Sequence, residues 1–194
     1  LTHLLKNKLS EQSLSTRPIE DGPTLVFDLE TDGFYNNVTR IHCLAIYDFQ
    51  EDHVVAYNDQ GNAEPISKGI QRLEDAAAIV GHNIIGYDCP VICKLYPWFQ
   101  PKGRVVDTLV LSRLYHTDIL KIDNKKKWNH MPAQLYGRHS LEAYGYRLGE
   151  YKGCFAKTTD WKEWSEDMQE YCVQDVVVTQ KLCKHFLPYL TGSR

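Results

Sequence analysis

No apolar run in this chain approaches the roughly 18 to 20 residues that cross a bilayer. Stretches such as Thr24 to Phe27 and Val176 to Val178 are a fraction of that length. No CxxC pair occurs among the six cysteines, Cys43, Cys89, Cys93, Cys154, Cys172 and Cys183. Cys89 and Cys93 stand four apart, but no nearby Cys/His pair completes a zinc site of the usual spacing. Reduced thiols in an intracellular, soluble protein are therefore expected. Internal repeats are absent, and so is a 7-to-15-residue apolar stretch leading to a small-residue cleavage site, so the opening does not read as a signal peptide. Neither sign of charge dominates: 22 Lys and Arg face 25 Asp and Glu, a net charge of -3. That balance argues against a protein that coats nucleic acid by charge alone. What is present, 194 residues of which 43% are hydrophobic and 24% charged, suits one globular domain and excludes collagen-like, coiled-coil and disordered classes.

The average charge conceals an asymmetry. Residues 101 to 152 carry ten Lys/Arg against five Asp/Glu, while the remainder carries twelve against twenty. A basic stretch beside an acidic remainder fits a polyanion held in one place while carboxylates bind cations in another; a solvated lysine loop fits equally well. Residues 1–23 lack strong periodicity and close on the turn Asp21-Gly22-Pro23, so they read as an extension or linker. The opening Leu1 reads as trimmed or cut from something longer.

From Thr24 the pattern becomes regular. Thr24 to Leu29, Arg40 to Phe49 and His53 to Tyr57 read as a three-strand meander. A helix is expected over Glu64 to Ala78, a short strand over Ile79 to Asn83, a helix over Tyr87 to Leu95, and a strand over Arg104 to Val106. Asp107 is placed to cap a helix that runs through Tyr115. Residues 117–138 read as a long surface loop, Leu141 to Leu148 as a helix ending near Gly149, and Trp161 to Leu187 as a long amphipathic helix covering the sheet. The expected architecture is an α/β domain with a mixed five-stranded sheet flanked by helices.

Three places carry chemistry. Asp28 and Glu30 end the first strand, and alternation puts them on one face with Leu29 on the other. Like charges so close call for a cation or a proton, and oxygen donors suit Mg²⁺ or Mn²⁺ better than zinc, though any DxE at a loop mouth would look the same. Tyr171 and Asp175 stand four apart on the last helix, so phenol and carboxylate point together; a water-exposed carboxylate is the plainer reading of that pair alone. Gly81-His82-Asn83-Ile84-Ile85-Gly86-Tyr87-Asp88 passes from strand to helix. Asp88 there could simply cap the helix, but His82 and Asn83 follow an apolar strand directly and lie at the sheet's edge. In the basic stretch, Lys125, Lys126 and Lys127 beside Trp128 could follow a strand's backbone and stack a base.

Taken together, Asp28-x-Glu30, His82-Asn83-x-x-x-Tyr87-Asp88 and Tyr171-x-x-x-Asp175 resemble the three motifs of the DEDDy 3′-to-5′ exonucleases, the DnaQ-like branch of the ribonuclease-H-like fold. Val106 to Leu114, His139 to Gly149 and Val173 to Thr179 are similar to the proofreading domain of phage family A DNA polymerases of the T-seven type. The resemblance runs from about Thr24 to Leu190, implying an exonuclease domain over 24–190. It stops where a polymerase thumb and palm would begin, so polymerase activity is not assigned to these residues.

The resemblance implies two Mg²⁺ ions, with Mn²⁺ able to substitute. Asp28 would bridge them, Glu30 and Asp175 would complete the site that activates water, Asp88 would hold the second ion, and Tyr171 would orient the water. His82 and Asn83 are candidates for the terminal nucleotide. The implied substrate is the 3′ end of single-stranded or frayed DNA, the product a nucleoside 5′-monophosphate, and the partner a polymerase in cis or in trans. An exoribonuclease trimming RNA 3′ ends uses the same residues, and a catalytically dead nucleic-acid-binding module would normally lack one of the carboxylates.

Overall fold

The structure, a computed structural model, describes residues 22–150 and 160–193. The expected N-terminal extension falls outside these residues except for its last two positions, and Cys154 lies outside them as well. Five strands form one open sheet: β1 (Thr24–Thr31), β2 (Ile41–Asp48), β3 (His53–Asn58), β4 (Ala78–Gly81) and β5 (Arg104–Asp107), in the spatial order β3-β2-β1-β4-β5. The first three pair antiparallel as a meander, and β4 and β5 add in parallel, so the sheet is mixed as the pattern implies. Helices α1 (Ile66–Asp75) and α2 (Asp88–Leu95) flank β4 in the chain; α3 (Thr108–Tyr115), α4 (Ile119–Lys126), α5 (Leu141–Leu148) and α6 (Glu166–Leu190) follow β5.

Register sorts the side chains into two layers. Leu29 sits opposite Leu44 and Phe27 opposite Ile46, and with Leu25 and Ile79 they form the face on which α1 lays Ile66, Ile70 and Leu73 and α2 lays Val91 and Ile92. The alternate residues, Val26, Cys43, Ala45, Tyr47 and Val80, form the opposite face, covered by Met168, Cys172, Val176 and Cys183 of α6. Each fully buried Leu, Ile or Val contributes about 1.5 to 3 kcal/mol relative to exposure. By the same alternation Asp28 and Glu30 belong to the α6 face. The sheet's pleat therefore aims them at the helix carrying Asp175.

Local chemistry sets the ends of these elements. Asp107 accepts from the amide of Leu109 at 2.9 Å, the cap anticipated for α3. Gly149, at φ 74°, closes α5 in the left-handed conformation. At Gly81 a Cβ would lie 2.1 Å from Ile84 Cγ2, so only glycine lets β4 turn sharply into the His82-Asn83 loop. Ser112 Oγ stands 2.6 Å from both His139 Nδ1 and Tyr144 Oη, joining α3 to α5.

Two expectations are corrected. The last helix begins at Glu166, because Ser165 accepts from the amide of Met168 at 3.1 Å and starts it there, so Trp161 lies in the preceding turn. Residues 117–138 are not a plain surface loop: they contain α4 and a 3₁₀ turn, Ala133–Leu135. The reason is Asp123, which is fully buried and accepts from Arg147 Nε at 2.9 Å, Arg147 Nη2 at 2.7 Å, Trp128 Nε1 at 2.8 Å and the Gly137 amide at 2.8 Å.

Candidate active site

The carboxylates of Asp28, Glu30 and Asp175 converge, with oxygens within 4.8 Å of one another. Among the described residues this is the one group of three or more His, Cys, Asp or Glu side chains close enough to hold a metal ion. Asp175 is buried and the two β1 acids are half-buried, so the charges meet at the margin of the core. Three carboxylates at such separations repel, and a divalent cation reverses the sign of that interaction. The donor set is all oxygen, without histidine or thiolate, which fits a hard cation of the Mg²⁺ or Mn²⁺ kind. Backbone contacts set the spacing: the Cys172 thiol reaches the Asp28 carbonyl at 3.3 Å and ties α6 to β1 one helical turn before Asp175.

Tyr171 lies on the same flank of α6. Burial, and then the charges of Glu30 and Asp28, push its phenol well above the ordinary tyrosine range. It stays protonated at every physiological pH and can act as a hydrogen-bond donor. Asp88 occupies the first turn of α2 and is buried. Its burial, followed by the charge of Asp28 and that of Asp107, raises its carboxyl well above the usual range, although the amides of Asp88 and Leu29 donate to it. Asp88 thus neighbours Asp28 but stands outside the tight group of three.

His82 and Asn83 are held by the fold. Thr108 Oγ1 donates its single proton to the Gly81 carbonyl at 3.0 Å, so the His82 Nδ1 that contacts this oxygen at 2.9 Å carries the proton of that bond. Asn83 adopts φ 68°, and its amide and that of Ile85 donate to the Asp107 carboxylate at 2.9 and 3.0 Å. Asp107 therefore fastens the loop as well as capping α3. The Asn83 side chain remains exposed.

The basic stretch is more structural than its composition suggests. Lys125, Lys126 and Lys127 are all exposed, Lys126 with its ammonium 4.5 Å from the Trp128 ring centre, and the indole N–H is committed to Asp123.

Beside Glu30 the structure opens a groove of about 390 Å³ lined by Thr31, Phe34, Tyr87 and Trp161. Phe34 is 86% exposed, which no packing role explains. Tyr87 Oη donates to the Gly33 carbonyl at 2.6 Å and meets Thr31 Oγ1 at 2.5 Å, fixing the turn that presents Phe34. Trp161 packs edge-on to Tyr171 with ring centres 6.3 Å apart, and its carbonyl lies 3.0 Å from Nε2 of the buried His42. The sequence reading missed Phe34 and Trp161. The available signal was an aromatic directly after the Asp32-Gly33 turn, too large and apolar for a bare turn position.

A family model for the RNase_H superfamily matches residues 25–187. The chain belongs to the RNase_H superfamily. Within it, this RNase_H-superfamily chain is 32% identical over 192 residues to the DNA-directed DNA polymerases of Escherichia phage T7 and Enterobacteria phage T3, matching across 84% of its own length. It spans only 27% of the length of those relatives. The match to the phage polymerases is the relationship that the motifs along this chain lead one to expect. Among solved structures it is similar to Brucella melitensis NrnC with bound Mg²⁺, at TM-score 0.55 and 17% identity over 88% of this chain and 74% of that one. It is also similar to a family B DNA polymerase from Pyrobaculum calidifontis, at TM-score 0.57 and 16% identity over 91% of this chain and 26% of that one. At such identities these likenesses show the fold alone.

Proposed function

We propose that this chain is a metal-dependent 3′-to-5′ exonuclease that removes nucleoside 5′-monophosphates from single-stranded or frayed DNA, as a proofreading activity in DNA replication. The observation that carries this reading is the convergence of Asp28, Glu30 and Asp175 from β1 and α6, with Tyr171 on the same helix flank. Divalent cations bound there supply the Lewis acidity that polarises the phosphate and lowers the pKa of a coordinated water. Asp28, Glu30 and Asp175 would hold them, with Asp88 contributing from the adjacent helix turn. The chain's own residues do the rest. Tyr171, kept neutral, donates a hydrogen bond that orients the attacking water, since a phenol so disfavoured from ionising is a poor base.

The groove beside Glu30 receives the terminal nucleotide, with Phe34 and Trp161 offering faces for its base. The fastened His82-Asn83 loop presents the exposed Asn83 side chain at the same sheet edge, and Lys125 and Lys127 extend the contact to the strand's backbone. The all-oxygen donor set supports a hard divalent cation, and the 32% identity to phage DNA polymerases supports DNA as the substrate.

A polymerase, in the same chain or as a separate protein, is the natural supplier of frayed ends. RNA 3′-end trimming is the competing reading, because the same carboxylates serve it. The test is cleavage of matched 5′-labelled DNA and RNA single strands in Mg²⁺. A ladder shortening from the 3′ end, faster on DNA, is expected; preference for RNA would assign the other substrate, and no cleavage of either would remove the nuclease reading.

A further inference from the structure

α3 ends at Tyr115 with His116 as its cap residue, and α6 carries His185 ten positions beyond Asp175, about 15 Å farther along the axis. There the two imidazoles meet, with Nε2 atoms 2.8 Å apart. Two ring nitrogens at that distance share one proton, so one donates and the other accepts. Aromatic neighbours hold the rings in place: Phe186, fully buried, lies 5.4 Å from His116 and 5.1 Å from His185 between ring centres, and Tyr189 lies 5.6 and 6.2 Å from them. The pair borders a cavity of about 180 Å³ whose lining combines the aliphatic Ile119, Ile122 and Leu148 with the polar ends of Lys126, Tyr144 and Arg147.

We propose that His116 and His185 form a second metal site, for a borderline ion such as Zn²⁺, Ni²⁺ or Cu²⁺. Imidazole pairs favour these ions, whereas the carboxylate group favours hard cations, so the chain sorts metals by ligand softness. Binding requires both Nε2 lone pairs. The ring that donates gives its Nε2 proton to solvent and takes one up at Nδ1, so a neutral pair binds the ion with no net change in protonation. At metal–nitrogen distances near 2.0 to 2.1 Å in a tetrahedral site, the nitrogens need to open to about 3.3 Å, roughly half an ångström more than now. His185 is exposed and can turn that far.

Solvent on the exposed side of His185 completes the coordination. The nearby cations are already engaged: Lys181 pairs with Glu150, Lys126 lies against Trp128, and Arg147 pairs with the buried Asp123. The bound ion clips the end of α3 to the helix that carries Asp175. None of this depends on the nuclease reading.

The test is calorimetric titration of the full chain with Zn²⁺ in excess Mg²⁺, comparing wild type, His185→Gln and Asp175→Asn. Asp175→Asn is expected to lose Zn²⁺ binding at the carboxylates and keep the imidazole site, whereas His185→Gln is expected to weaken the imidazole site by at least about tenfold. Equal binding by His185→Gln and wild type, or a loss confined to Asp175→Asn, would overturn the site. Paramagnetic Cu²⁺ added to wild type gives a check free of mutation. The imidazole Cε1 proton signals of His116 and His185 should broaden before those of the other histidines, and broadening that begins elsewhere counts against the proposal.

Discussion

Two of the regions that bury carboxylates in this molecule do so to opposite ends. Asp123 is surrounded by donors, four hydrogen bonds including two from the guanidinium of Arg147, whose side chain is 6% exposed. Burial alone would raise its carboxyl, but Arg147, Gly137 and Trp128 outweigh that and hold it below the usual range. At the other region Asp28, Glu30 and Asp175 are set against one another, and Asp88 is pushed upward by burial and by Asp28. The first arrangement stabilises a fold. The second lowers stability locally and makes sense as a receptor for positive charge, the pattern expected where function and folding compete.

The largest effect expected from this contrast is on activity. Asp28→Ala and Asp175→Ala should each slow single-turnover cleavage by at least about 10³-fold, the loss of several kcal/mol of transition-state stabilisation. Their melting temperatures in chelator should hold or rise, because a repelling charge has gone. A large fall in melting temperature for both would make them structural and erase the contrast.

Asp123→Asn should do the reverse. It leaves a buried guanidinium without its carboxylate, at a cost of about 3 to 5 kcal/mol, or about 6 to 20 °C in melting temperature. The surviving folded fraction should cleave normally. Unchanged stability would mean that Arg147 finds another partner.

Next in size is the phenol. Tyr171→Phe keeps the ring against Trp161 and removes one hydroxyl, so metal affinity should persist while the rate falls about 10- to 100-fold. Metal loss as complete as in Asp175→Ala would contradict a water-orienting role.

The smallest effect is in pH dependence, and its sign differs between the regions. Asp123 has a lowered folded pKa, so its stabilisation is full above the ordinary carboxylate value of about 4 and is lost as pH falls through the folded value. Asp88 has a raised folded pKa, so its folded form holds a proton that the unfolded chain has released. Its penalty therefore grows as pH rises from about 4 through the folded value. Melting temperature against pH in chelator should decline over that range for wild type and flatten for Asp88→Asn. Identical curves would show that Asp88 does not carry the effect.

Much of the carboxylate region was legible in the chain. Alternation along β1 aligned Asp28 with Glu30, and the four-residue spacing aligned Tyr171 with Asp175, because both periodicities are local. The Asp123 region was not legible, since its donors come from 5, 14 and 24 residues away and nothing in a lysine-rich segment announces a buried acid. The groove escaped for the same reason: Phe34 follows β1 and Trp161 lies in the turn before α6, far apart in the chain, and only the fold brings them to one groove. The start of α6 was misplaced because Trp161 continues the apolar period while Ser165, a weaker signal, supplies the cap.

The most direct measurement is Mn²⁺ binding followed by electron paramagnetic resonance, beside cleavage of a single-stranded DNA oligonucleotide, for wild type and Asp175→Asn with and without excess chelator. Wild type should bind Mn²⁺ and cleave only when the ion is present, and Asp175→Asn should lose both together. Full cleavage by wild type in chelator, or Mn²⁺ binding unchanged in Asp175→Asn, would contradict the assignment of the converging carboxylates as the metal-holding active site.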